Sequence, residues 1–284
     1  MITAEKLGVS AGRHSLDEAP FSGRAGRATR FGQLAEPAFL PLLELEEALG
    51  IREPLAAVAG ITHEGRPILI DLLAPETSHV LVLACQAWGK STLLRTLLGS
   101  LCLRARPWQM GVLGVDASGN ELSILEALPH RMAPLACDVT EAGRLLAWLE
   151  EETAARLDRR IACPAILLVV DDMGWLADPD QASNLRRMVR TLRVGWRAGI
   201  HVLAAIQQPL AAELAPLLDV QGSVLAVGQD GPTRGVFTFS SRGWQRTVQA
   251  AYLSARDLNR LVAGISGRAV GPGGTKAQAG AGEP

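Results

Sequence analysis

Aromatic residues and paired cysteines are scarce in this chain of 284 amino acids. Aromatic side chains make up 4% of the sequence, with a single Tyr, and the four cysteines form no Cys-x-x-Cys pair. So few aromatics argue against the base-stacking surfaces of single-strand-binding proteins. The scattered cysteines favour neither a zinc site nor a disulfide framework, so we expect the chain to work in the reducing cytoplasm.

Excess charge of one sign and long apolar runs are also missing. The 28 Lys and Arg residues nearly balance the 29 Asp and Glu residues, for a formal net charge of -1. A basic field over the whole molecule is therefore excluded, and any contact with nucleic acid must come from a local patch. Apolar runs such as residues 166–170 are far too short to span a membrane, and the N-terminus shows no signal-peptide pattern.

The composition that remains is that of a folded protein with two biased ends. Hydrophobic residues make up 48% of the chain, which is enough for a sizeable core. The composition of residues 1–35 is rich in Gly, Ala, Ser and Arg. It predicts a flexible, mildly basic arm that is either a disordered leader or a nucleic-acid-binding arm. Residues 266–284 predict a disordered Gly/Ala-rich tail, which leaves residues 36–265 as the folded domain.

Short β-rich apolar runs alternate with helical stretches inside this domain. The pattern predicts an α/β fold with a mainly parallel central sheet flanked by helices. The predicted strands are 79–84, 110–116, 165–171 and 201–206, preceded by a hairpin within 56–71 and followed by strands near 223–227, 235–240 and 246–252. The predicted helices are 90–105, 140–160, 182–198 and 254–263.

The strongest local signal is the stretch HVLVLACQAWGKSTLLRTLLGSL. An apolar strand, a short turn and a helix follow one another, which is the context of a phosphate-binding P-loop. Backbone N–H groups at the helix start would hold ATP phosphates, Lys90 would neutralise them, and the Ser91 hydroxyl would ligate Mg²⁺. The predicted nucleotide-binding residues are Ala84, Cys85, Gln86, Ala87, Trp88, Gly89, Lys90, Ser91 and Thr92.

The loop departs from the pattern Gly-x-x-x-x-Gly-Lys-Ser/Thr at two positions. Ala84 stands where the first Gly is expected, and Trp88 stands directly before Gly89. A residue with a Cβ at any position that needs a positive φ is strained by about 1 kcal/mol. We therefore expect a strained or reshaped loop, with Trp88 near enough to crowd the phosphates.

Two carboxylates end the apolar run 166–170. Asp171 is predicted to hold the Mg²⁺ shell, and Asp172 to act as the base that activates water. Asp is one methylene shorter than the Glu usual at the second position, which predicts slow hydrolysis. Two solvated acids at a strand end are the alternative interpretation.

Gln207 directly follows the strand predicted at 201–206, at the edge where parallel sheets bind their ligands. Its neutral amide is suited to contact a γ-phosphate or to orient water. We therefore predict that Gln207 senses the γ-phosphate.

Four arginines follow helical spacing. Arg186, Arg190, Arg193 and Arg197 are predicted to share one helix face, here called the arginine stripe. Three interpretations stay open at this stage: a surface for DNA phosphates, a contact with the ATP of a neighbouring subunit, or a solvated face paired with acids such as Asp178 and Asp180.

Together these segments resemble the motor domain of the FtsK/SpoIIIE family of DNA translocases, over about residues 40–265. The order of motifs is similar: hairpin, P-loop, a strand ending in Asp116, and a Gly-Ile-His strand ending in Gln-Gln-Pro. Departures include Asp-Ala-Ser at 116–118 and Gln208 in place of an Arg. The matching stretches are GITHEGRPILIDLLAPETSHVLVLACQAWGKS, GVLGVDASGNELSILEALPHRMAPLACDV, WRAGIHVLAAIQQP, SVLAVGQDGPTRGVF and RTVQAAYLSARDLNRLV.

The resemblance implies a RecA-like P-loop NTPase that assembles into a homo-oligomeric, hexameric ring around double-stranded DNA. It implies ATP and Mg²⁺ as cofactors, and Arg234 or Arg197 as an arginine finger acting on a neighbouring subunit. Partner subunits are expected to supply membrane anchoring or sequence reading. The alternatives are a degenerate nucleotide-binding ring subunit with little hydrolysis, and a related secretion or conjugation motor.

Overall fold

The structure, a computed structural model, describes residues 40–116, 121–228 and 234–269. The predicted arm at 1–35 lies outside these ranges, as does the tail from residue 270 onward. Residues 266–269 are helical and extend the last helix beyond its predicted end at 263, into the stretch for which the sequence predicts a disordered tail. Packing explains this extension, because Leu261 and Ile265 are buried while Gly264 and Gly267 weaken the local helical signal.

Strands and helices alternate from residue 79 to residue 228, whereas the described strands within 56–84, and likewise those within 223–252, follow one another without a described helix between them. The helix predicted at 182–198 is divided into an α-helix and a 3₁₀ turn at Gly195–Ala198. The strands are β1 Leu40–Pro41, β2 Ala56–Thr62, β3 Pro67–Asp71, β4 His79–Ala84, β5 Met110–Asp116, β6 Ala165–Asp171, β7 Ile200–Gln207, β8 Ser223–Gly228, β9 Val236–Ser241 and β10 Trp244–Tyr252. The α-helices are α1 Leu42–Leu49, α2 Lys90–Arg104, α3 Val139–Arg159, α4 Ala182–Val194, α5 Ala215–Leu218 and α6 Ala255–Ala269.

One mixed sheet contains all of these strands, in the order β3-β2-β10-β9-β8-β4-β7-β6-β5, with β1 added beside β10. Strands β8, β4, β7, β6 and β5 run parallel, and β8, β9, β10, β2 and β3 pair antiparallel. The α/β prediction is confirmed: the P-loop half of the sheet is parallel, and the other half is antiparallel apart from the short parallel pairing of β1 with β10. Short connections explain the antiparallel half, because only two residues separate β9 from β10.

Both faces of the parallel half are buried. Val80 and Val82 of β4 belong to the core shared with the leucines of α2, whereas Leu81 and Leu83 belong to the core shared with α3 and α4. Alternation along a strand sends successive side chains to opposite faces, so β4 is covered on each side. The result is a three-layer arrangement with the P-loop strand at its centre.

Two buried histidines connect β4 to β7. The backbone N–H of Val202 donates to His79 Nδ1 at 3.1 Å, and His201 Nδ1 lies 3.0 Å from the Ser78 carbonyl oxygen. Burial lowers the pKa of His79 to about 3 and also lowers the pKa of His201. Both rings are therefore neutral and structural at pH 7, and they fix the strand that carries the phosphate loop.

Strand register brings the polar strand ends together at one edge of the sheet. Ala84 of β4 lies beside Gln207 of β7, and Asp116 of β5 lies beside Asp171 of β6. Because β4 to β7 are parallel, these carboxyl ends face the same side. Among the described residues, no helix has the length and apolar character that crossing a membrane requires.

Candidate nucleotide-binding site

The loop between β4 and α2 turns sharply through two left-handed residues. Ala87 has φ of 63° and Gly89 has φ of 88°. Gly adopts this conformation freely, whereas an Ala there costs about 1 kcal/mol because its Cβ approaches the following carbonyl. The predicted strain therefore falls at Ala87.

Helix α2 begins directly after this turn with its first N–H groups uncapped. Gly89 holds the N-cap position, and no side chain caps the helix start. The Lys90 Nζ donates to the Cys85 carbonyl oxygen at 3.0 Å, so the lysine curls back over the loop. Free N–H groups, the positive end of the helix dipole and a cation thus converge on one space, as anion binding requires.

The unusual residues of the loop are accommodated outside that space. Trp88 is half-buried and packs against the core shared with α2, so the structure does not place it against the phosphate cradle as expected. Ala84 is buried at the end of β4, beside Gly228 of β8. A Cβ at residue 228 would lie 2.7 Å from the Ala84 methyl, so the extra methyl at 84 fits because its neighbour is Gly.

Asp171 and Ser91 face each other across the cradle. The Ser91 hydroxyl donates to Asp171 Oδ2 at 3.1 Å. Burial, together with the nearby carboxylates of Asp116, Glu121 and Asp172, raises the pKa of Asp171 to about 6, although the hydrogen bond from Ser91 opposes this shift. The site therefore carries closely spaced negative charge on this side.

Asp172 is exposed and lies in a left-handed conformation, with φ of 63°. Its Oδ1 accepts a hydrogen bond from the Gly174 N–H at 2.8 Å. Asp tolerates this backbone conformation better than Glu, because a short polar side chain can bond to its own turn. The Asp at this position is thus explained by the local backbone.

A cleft of about 520 Å³ joins these groups. The sequence predictions placed nine of its lining residues in the site; Arg95, Glu121 and Trp175 were not assigned to it, although Glu121 belongs to the stretch that carries the family resemblance. Arg95 is three residues after Thr92 on α2, a spacing that places both on one helix face. The predicted residues that line the cleft are Gln86, Ala87, Gly89, Lys90, Ser91, Thr92, Asp171, Asp172 and Gln207.

The two predicted arginine fingers lie elsewhere. Arg197 is exposed on the 3₁₀ turn after α4, with its guanidinium 5.3 Å from the centre of the Trp196 ring. Arg234 is exposed in the turn before β9. Neither lines the cleft of its own chain.

The arginine stripe is only partly paired. Arg190 lies 3.1 Å from a Glu150 carboxylate oxygen of α3, whereas Arg186 and Arg193 are exposed without an ion-pair partner in the ranges the structure describes. No described ion pair joins the stripe to Asp178 or Asp180, the partners considered from sequence. Two free cations therefore project from α4.

Comparisons with known proteins agree with this geometry. Residues 52–163 match the FtsK/SpoIIIE family. The chain is 27% identical over 221 residues to the DNA translocase SftA of Bacillus subtilis, covering 69% of this chain and 22% of SftA. It is 33% identical over 259 residues to the DNA translocase FtsK of Bradyrhizobium diazoefficiens, covering 73% and 30%. The chain thus spans less than a third of the length of these curated relatives.

A solved structure shows the same fold. The pCW3 conjugation coupling protein TcpA, in its monomer form with ATPγS, superposes with a TM-score of 0.65 at 20% identity. The match covers 79% of this chain and 73% of TcpA. The similarity shows that the described domain and TcpA share a fold.

We predict that Ala87→Gly stabilises the domain, because Gly removes the cost of a left-handed Ala. The expected gain in the free energy of unfolding is about 0.5–1 kcal/mol by chemical denaturation. Ala162→Gly is the control, since Ala162 is an exposed loop residue outside the left-handed region and should lose stability through chain entropy. An equal loss in both variants would show that Ala87 is unstrained.

Proposed function

Because the chain contains an FtsK/SpoIIIE-family P-loop motor domain, we propose that it binds ATP with Mg²⁺ and hydrolyses it to move along double-stranded DNA. The observation that carries this proposal is the meeting of Lys90, Ser91 and Asp171 at the start of α2. ATP and DNA are both found in the cytoplasm, which is where the proposal places the chain.

The residues of the cleft fit a magnesium ion. Ser91 and Asp171 provide hard oxygen donors, and Mg²⁺ in nucleotide sites takes its remaining ligands from phosphates and water. The described residues contain no cluster of three or more His, Cys, Asp or Glu that would hold a metal without such help. When bound, Mg²⁺ would neutralise charge on the β- and γ-phosphate oxygens.

The protein groups of the cleft would bind the phosphates and activate the attacking water. Lys90 exchanges its bond to the Cys85 carbonyl for phosphate oxygens, while the N–H groups of the first turn of α2 hold the phosphate chain. Gln207 lies at the mouth of the cleft and orients water or contacts the γ-phosphate through its amide. Asp172 acts as the base: Oδ1 is held by Gly174, which leaves Oδ2 to accept the proton of the attacking water.

Assembly into a ring would give a role to Arg197 and Arg234, which do not line the cleft of their own chain. Arg197 and Arg234 are exposed and away from the cleft of their own chain, which supports a role against the ATP of a neighbouring subunit. The proposed assembly is a homo-oligomer, in the family's usual form a hexamer around DNA. Partner subunits would then supply membrane anchoring or sequence reading.

A second candidate is a nucleotide-binding ring subunit with little hydrolysis. The strained Ala87 and the short Asp172, one of whose oxygens is already engaged, favour it over a fast enzyme. A motor of a conjugation or secretion apparatus is a third candidate, since the fold is shared with a conjugation coupling protein.

We predict slow ATP hydrolysis that duplex DNA accelerates. Asp172→Asn should lower the turnover number by a factor of about 100 or more without weakening ATP binding, because Asn keeps the bond to Gly174 and removes a negative charge from the cleft but cannot take a proton. Steady-state phosphate release and calorimetry measure the two quantities. Asp158→Asn, at an exposed site on α3, is the control. Tight ATP binding without hydrolysis in the parent chain would favour the degenerate subunit.

DNA binding should depend on the unpaired part of the arginine stripe. We predict that Arg186→Gln with Arg193→Gln weakens duplex binding and lowers the slope of log affinity against log salt by about 2, one for each lost phosphate contact. Fluorescence anisotropy at several salt concentrations measures this slope. Arg159→Gln with Arg242→Gln removes the same charge from exposed sites outside α4. Equal losses in the two double variants would exclude a DNA surface on α4.

A further inference from the structure

Arg95 lies in the nucleotide cleft although no P-loop pattern requires it. It stands on α2 four residues after Ser91 and three after Thr92, and it lines the cleft with both. Its side chain is 29% exposed, so the guanidinium is partly shielded from water.

The guanidinium of Arg95 is held by three contacts. Its Nη1 donates to Glu121 Oε2 at 2.7 Å and to the Glu121 main-chain oxygen at 3.2 Å, and its Nη2 donates to Thr92 Oγ1 at 3.4 Å. These contacts join the phosphate-binding helix to the segment that follows β5.

Glu121 is itself fixed in place. Its backbone N–H donates to Asp116 Oδ2 at 2.7 Å, and the next N–H, that of Leu122, donates to the same oxygen at 2.8 Å. Asp116 is buried at the end of β5. The Glu121 backbone is therefore fixed beside the cleft, and Arg95 holds the Glu121 carboxylate there.

The charge balance of the cleft depends on Arg95. Among the described residues that line it, Lys90 and Arg95 are the cations, against the carboxylates of Glu121, Asp171 and Asp172. Without Arg95, one lysine would face three carboxylates at a site proposed to take a polyphosphate. Repulsion between Glu121 and the phosphates would then oppose binding.

We infer that Arg95 is a positioning residue for the phosphate chain of a nucleoside di- or triphosphate, acting by neutralising Glu121 and holding Thr92 at the start of the cradle. The inference rests on the proposed function of the cleft as an ATP site. It differs from a direct phosphate contact, because Arg95 acts through a carboxylate that would otherwise repel the ligand.

A double-mutant cycle tests this inference. Arg95→Gln keeps much of the side-chain length but removes the charge, and it should weaken ATP binding about tenfold in calorimetry. Glu121→Gln added to it should restore most of that affinity, because the repelling carboxylate is gone. Arg95→Lys, which keeps the charge, should lose less than Arg95→Gln. Melting temperatures confirm that each variant is folded.

Comparing ligands of different charge shows whether Arg95 acts through electrostatics or only supports the structure. The loss in Arg95→Gln should be larger for ATP than for ADP, and it should shrink at high salt. Arg131→Gln, which breaks the comparable Arg131–Glu126 pair outside the cleft, should leave both affinities unchanged.

The outcomes are distinct. A parent chain that binds no ATP overturns the proposed function and this inference with it. A parent chain that binds ATP, with an Arg95→Gln loss that Glu121→Gln does not rescue, overturns the inference alone and indicates direct phosphate contact or structural support. A loss that is equal for ATP and ADP overturns it as well.

Discussion

The site depends on the burial of β4 at the centre of the sheet. This strand pairs in parallel with β7 and β8 and is covered on both faces, so its position and register are fixed by the whole core. The phosphate loop is the direct continuation of β4, and the neighbouring parallel strands deliver Gln207 and Asp171 to the same edge. Hydrophobic burial thus sets the geometry of a site made almost entirely of polar groups.

The packed strand β4 and helix α2 allow the loop between them to contain unusual residues. Strain of about 1 kcal/mol at Ala87 persists because the strand and the helix on either side hold the turn. The methyl of Ala84 fits because residue 228 is Gly, and Trp88 packs against the hydrophobic core and does not line the cleft. Ala84, Trp88 and the left-handed Ala87 are therefore compatible with a phosphate cradle.

Much of the fold was predictable because local sequence patterns, such as apolar runs between turn residues, determine it. The strands 79–84, 110–116 and 165–171 match the structure, since each is an apolar run bounded by turn residues. Lys90 and Ser91 were predicted from the strand–loop–helix motif, and Asp171 and Gln207 from their positions at strand ends. The Arg95–Glu121 pair was not predicted, because it joins residues 26 apart through tertiary packing. The left-handed Ala87, the partner Glu150 and the added turn of α6 likewise depend on contacts that no local pattern contains.

The central claim is that the cleft at the start of α2 binds Mg-ATP through Lys90. Calorimetric titration of the chain and of its Lys90→Ala variant with ATP, in the presence and absence of Mg²⁺, tests it most directly. The account predicts binding by the parent chain that Mg²⁺ strengthens, and loss of that binding in the folded variant, because no other cation lies in the loop. Equal affinity of the two proteins for Mg-ATP would contradict it.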